Sequence, residues 1–129
     1  MARTSGIWRA SSRSGTDHAV WVAGADRQFT GAAEIRTALA EQWQAFRRMQ
    51  HWTSNLVIDL DGDHATGECD VYTAVQLLDG TWIRSGGSYR DVYLGRAGQW
   101  RIARREVASY FNMDPLPPGV GPPDRDPSD

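Results

Sequence analysis

Apolar positions along this chain change their period once, near Gln50. Ahead of it, Ile35, Leu39, Trp43 and Phe46 recur at helical spacing, with Ala38 and Gln42 on the flanks, which predicts a helix from Gly31 to Gln50 with one face against a core. Glu34 in its first turn and Arg47-Arg48 in its last complement the helix dipole. From His51 onward the pattern alternates with period two, as in strands. Strands are expected at Gln50 to Leu60, Ala65 to Leu78, Thr81 to Leu94 and Gln99 to Tyr110. Asp61-Gly62, Asp79-Gly80 and Ala97-Gly98 turn the chain between them.

Ala19 to Ala23 adds a short earlier strand, followed by a turn at Asp26-Arg27. Long successive strands with tight turns make an antiparallel meander, and the helix covers one face of it. The expected class is α+β: a curved antiparallel sheet of at least four strands packed on a helix. Gly86-Gly87 inside the third long strand suits a bulge or bend. All six prolines lie between Pro115 and Pro127, so residues 115–129 read as a disordered Pro-rich tail. Residues 1–16, rich in Ser and Arg, read as a flexible arm or a transit-like segment, which leaves 17–114 as the folded domain.

Composition narrows the chemistry. A chain of 129 residues with 40% hydrophobic residues and six tryptophans supports one domain with a substantial core. The net charge of -2 gives no electrostatic case for nucleic acid. Every basic residue is arginine, so Schiff-base chemistry and a phosphate-loop lysine are excluded. No apolar run has the length of a membrane span. Cys69 is the lone cysteine, which fits a reducing, cytoplasmic setting.

Candidate sites thin out quickly. Asp59, Asp61 and Asp63 imitate the start of a calcium loop, but His64 stands where that loop needs glycine. His18, His51, His64 and Cys69 show no zinc-ligand spacing, so no metal is expected. The strand-borne polar set remains. Period two places His51, Thr53 and Asn55 on one face, with Tyr89, Asp91 and Tyr93 alternating on a facing strand. In a curved sheet such residues converge on a cup, where a histidine serves as general acid or base near neutral pH. His51, Asp91 and Tyr89 are the expected catalytic group, and Thr53, Asn55, Tyr72 and Trp43 the expected ligand contacts. In the competing structural reading, Asp91 and Tyr89 simply pair with arginines such as Arg84 or Arg101 on neighbouring strands.

A set of landmarks then carries a resemblance. Phe29-Thr30-Gly31 with Glu34-Ile35 opens the helix, and Gln50-His51 with Asn55 leaves it. Asp61-Gly62-Asp63 with Ala65, Gly87-Ser88-Tyr89-Arg90-Asp91, and Gly98-Gln99-Trp100-Arg101-Ile102 with Arg105 follow. In this the chain resembles SnoaL-like proteins, of the cone-shaped α+β fold shared with nuclear transport factor two, scytalone dehydratase and ketosteroid isomerase. The resemblance implies a pocket for a hydrophobic small molecule between helix and concave sheet. It implies a cofactor-free lyase or isomerase acting on a polyketide-, terpenoid- or steroid-like substrate, with the family's catalytic histidine matching His51. Family members usually carry one or two further helices before the first strand, bearing an acidic partner for that histidine. Here Met1 to Thr16 occupies that space, and Asp17 is out of order to replace the acid. An accessory or purely ligand-binding role is the alternative. The uncovered apolar surface that would follow predicts a homodimer or a permanent protein partner, with Trp52, Trp82 and Val92 supplying an outer apolar face.

Overall fold

The structure, a computed structural model, describes residues 18–115. The expected arm at 1–16, Asp17 and the tail beyond Pro115 lie outside the described residues. Six strands and one helix follow in the order β1 (Val20–Gly24), β2 (Arg27–Thr30), α1 (Ala32–Ala45), β3 (Phe46–Asp61), β4 (His64–Leu77), β5 (Trp82–Arg96) and β6 (Gln99–Pro115). They form one unclosed curved sheet, ordered β2-β1-β6-β5-β4-β3.

The antiparallel meander from β3 to β6 follows the sequence reading, and β1 and β2 add a hairpin whose turn, at Ala25-Asp26, falls one residue before the expected one. The sheet is nevertheless mixed. β1 runs parallel to β6, with Trp21 opposite Arg105.

α1 starts at Gly31, whose φ of 86° is a conformation glycine adopts without strain. The Glu34 carboxylate reaches back to accept the Thr30 amide at 2.8 Å, satisfying one donor of the opening turn. The helix is shorter than its periodicity suggests. It ends at Ala45, and Phe46 to Gln50 already belong to β3, whose ladder with β4 begins at Phe46 opposite Leu77. Pairing with a long neighbouring strand has overridden local helix preference. Ile35 and Ala38 are buried, whereas Trp43 is 43% exposed. The expected burial of the whole stripe, Trp43 included, therefore does not hold. α1 lies against β2 and β3, at the margins of the sheet.

Curvature comes from unequal strands. Between Ser54 and Val57, β3 carries an extra residue against β4, and Asn55 there takes φ 54°. Opposite Gly86 and Gly87, the register slips twice against β6, at the glycine pair singled out for bending.

Register fixes the two faces. One carries Met49, His51 and Thr53 of β3, then Cys69, Val71, Thr73 and Val75 of β4. It continues through Ile83, Ser85, Tyr89, Asp91 and Tyr93 of β5 to Arg105 and Val107 of β6. Cys69, Val71, Val75, Ile83, Asp91 and Arg105 are all buried on it; this is the inner face of the cone. The outer face carries Arg48, Gln50, Trp52 and Ser54, opposite Gln76, Ala74, Tyr72 and Asp70.

Candidate active site

Two polar groups sit on the inner face. The first is a row across three strands: His51 of β3 lies opposite Thr73 of β4, which lies opposite Ser85 of β5. The Thr73 and Ser85 hydroxyls are 2.6 Å apart and share a hydrogen bond. The second is centred on Asp91. Arg105 donates from Nε to its Oδ1 at 2.8 Å and from Nη2 to its Oδ2 at 2.6 Å. The Tyr93 hydroxyl also donates to Oδ2, at 2.8 Å. The same guanidinium lies over the Tyr89 ring, 4.1 Å from its centroid, in cation–π geometry.

Tyr93 can lie flat over this region because residue 67 has no side chain. A Cβ on Gly67 would come within 2.8 Å of the Tyr93 ring. The glycine thus sets how closely the tyrosine approaches β4 and delivers its hydroxyl to Asp91.

The electrostatics follow from this packing. Desolvation, then the positive charge of Arg105, holds the His51 imidazole below its usual pKa. It is therefore a neutral base at physiological pH. The residue as a whole nevertheless remains exposed to solvent. Burial raises the Tyr89 hydroxyl, and burial together with the Asp91 hydrogen bond pushes Tyr93 to about 12. Both phenols stay protonated and remain donors. Burial works against the charge on Arg105, but Asp91 outweighs it and the guanidinium stays ionised.

The expected site residues separate under this geometry. His51, Thr53, Tyr89 and Asp91 do share the inner face. Asp91 does not orient His51, because both its oxygens are occupied by Arg105 and Tyr93. Asn55 leaves the His51 face altogether. The bulge rotates it outward, and its amide donates to Asp70 Oδ2 at 2.7 Å. Tyr72 is also an outer-face residue, its ring tilted against that of Trp52 with 5.6 Å between centroids. Trp43 lies on α1 with 43% of its surface exposed. Among the described residues no group of three or more metal-ligating side chains assembles. No helix among them is long and apolar enough to cross a membrane.

One helix leads into the curved sheet, and His51 stands on the inner face of the first long strand. The SnoaL-like domain model matches residues 16–106. This chain belongs to the SnoaL-like domain family.

Solved structures place this SnoaL-like domain among cone-shaped relatives. It is similar to a type 2 hexachlorocyclohexane dehydrochlorinase, LinA, with 22% identity and TM-score 0.70 over 81% of this chain and 76% of that one. The type 3 LinA of Novosphingobium barchaimii gives 20% identity and TM-score 0.72, over 81% and 72% of the two chains. A scytalone dehydratase candidate from Novosphingobium aromaticivorans gives 21% and 0.68, over 81% and 75%. At such identities the likeness is one of fold. No curated protein matches the sequence.

Sequence reasoning missed three polar members of this SnoaL-like inner face: Thr73, Ser85 and Arg105. Each stands at an inward position of a strand whose inward neighbours are apolar or aromatic, such as Val71 and Val75, Ile83, and Val107. A polar residue interrupting an apolar alternation was the available signal.

Proposed function

We propose that this domain binds a hydrophobic small molecule of polyketide, terpenoid or steroid type on its inner face and moves a proton on it without a cofactor. It acts as a lyase or isomerase. The observation that carries the reading is His51: an imidazole kept neutral by its surroundings, on the inner face, with no hydrogen bond to any described residue. A neutral imidazole open to a ligand accepts a proton from an acidic carbon. The electron pair left on that carbon moves toward an adjacent carbonyl, or expels a leaving group. The Tyr89 hydroxyl and the fixed charge of Arg105 favour the negative charge that develops. The proton then returns to another carbon or passes to solvent. The dehydrochlorinase and dehydratase names of its structural neighbours fit this class of reaction.

A second reading, a non-catalytic ligand binder or accessory subunit, is favoured by one observation. No carboxylate among the described residues fixes the His51 tautomer, since Asp91 is committed elsewhere. Self-association as a homodimer, or with a permanent partner, goes with either reading, and the buried Cys69 thiol suits a reducing cytoplasm.

Titration with 2-naphthol tests the cup itself. On chain labelled at histidine, the His51 imidazole resonances should move saturably while those of exposed His64 stay in place. No movement of His51 would remove the inner face as a ligand site.

A further inference from the structure

β3 is an edge of the sheet, and along most of its length it is exposed. Leu56 is 58% exposed, Val57 63%, Ile58 46% and Leu60 73%. A long apolar edge with unpaired backbone groups is a template for another strand, which soluble proteins normally blunt or cover. We propose that the cover is a second copy of this chain, its β3 paired antiparallel to the first across a twofold axis near Thr53 and Ser54. The proposal rests on the self-association put forward above and is independent of the cup's chemistry.

The charge pattern of β3 selects this partner and this direction. Arg47 and Arg48 stand at its start, and Asp59 and Asp61 at its end, with Asp63 just beyond in the turn. A parallel pair of β3 strands would set arginines against arginines and aspartates against aspartates. An antiparallel pair sets the basic end of each strand against the acidic end of the other, twice over, as a twofold interface requires.

The bulge fixes the register. It shifts the alternation of β3 by one residue between Ser54 and Val57, so Arg48 and Gln50 share the outer face with Val57 and Asp59. Placing Arg48 opposite Asp59, Met49 opposite Ile58 and Gln50 opposite Val57 keeps every pair on one face. Two short ladders then flank an axis at which the bulges meet. Pairing about such an axis closes after two copies and leaves no β3 edge free to propagate.

Sedimentation velocity of the full chain tests the pairing through a charge-reversal cycle. Arg48→Asp and Asp59→Arg singly should each weaken the dimer by about tenfold or more, by placing like charges opposite each other on both sides of the axis. The double variant should return to within about threefold of the parent. Within one chain the two positions are about 35 Å apart along an extended strand, so rescue can only be intermolecular. Circular dichroism melts establish that each variant is folded. If a reversal unfolds the chain, Val57→Lys serves instead and should weaken the dimer likewise; an unchanged dimer would overturn the proposal. A parent chain that is monomeric at micromolar concentration overturns it by removing self-association altogether. A dimer indifferent to these changes but broken by Tyr72→Arg overturns it by placing the interface on the outer face. Neither failure bears on 2-naphthol binding.

Discussion

Arg105 grips both carboxylate oxygens of Asp91, at 2.8 and 2.6 Å, with 6% and 1% of the two side chains exposed. The pair ties β5 to β6 beneath the inner face and holds the guanidinium over Tyr89. Removing one partner strands the other charge in the interior. Asp91→Ala should cost about 3–5 kcal/mol, and Asp91→Leu with Arg105→Met should cost less than either single change. Urea unfolding of the set checks this. Equal, additive losses would show the pair to be uncoupled.

The shortened helix makes a contrasting pair of substitutions. Ile35 is 3% exposed, and Ile35→Ala should cost about 2–5 kcal/mol. Trp43 is 43% exposed, and Trp43→Ala should cost no more than about 1 kcal/mol. Chemical denaturation should rank them in that order.

Asn55 acts in the bend of β3. Asn55→Ala puts a residue less tolerant of the left-handed region at φ 54° and removes the bond to Asp70, and should cost about 1–2 kcal/mol. Asn55→Gly should cost less. Neither should alter 2-naphthol binding, because the amide faces away from His51. Loss of binding with an intact fold would return Asn55 to the site.

Stability should fall at both ends of the pH range. His51 titrates lower in the fold than the 6.5 of the free side chain, so the unfolded chain takes up this proton first. Its contribution is complete above 6.5 and disappears as pH drops through the lowered folded value. Tyr93 is shifted the other way. Its contribution is complete below 10 and is lost as pH rises from there to about 12. His51→Gln should flatten the acid limb and Tyr93→Phe the alkaline limb of melting temperature against pH. A variant curve parallel to the parent's would refute the corresponding assignment.

Much of this architecture was legible because it is local. Alternation from His51 onward, the three Gly-containing turns and the Gly86-Gly87 bend each depend on neighbours in sequence. The parallel join of β1 to β6 was not legible, since it depends on contacts between Trp21 and Arg105 made only after the sheet assembles. The fate of Phe46 to Gln50 was ambiguous for the same reason. The apolar spacing suited a helix, and the partner strand in β4 decided for β3. At the site, period two placed His51 and Asp91 correctly. It failed at Asn55, where one extra residue turns every later side chain to the other face. The structural reading of Asp91 as an arginine's partner was right in kind, with Arg105 rather than Arg84 or Arg101 as the partner.

Proton transfer by His51 is the central claim, and carbon-bound hydrogen exchange measures it without knowledge of the natural substrate. A panel of hydrophobic cyclic ketones in deuterated buffer at neutral pH should exchange α-protons faster with the protein than with buffer alone. The rate should rise with pH through a pKa below 6.5 and then level off. Folded His51→Gln should show only the buffer rate. Exchange no faster than buffer across the panel, or exchange undiminished in His51→Gln, would contradict the account and leave the domain a binder.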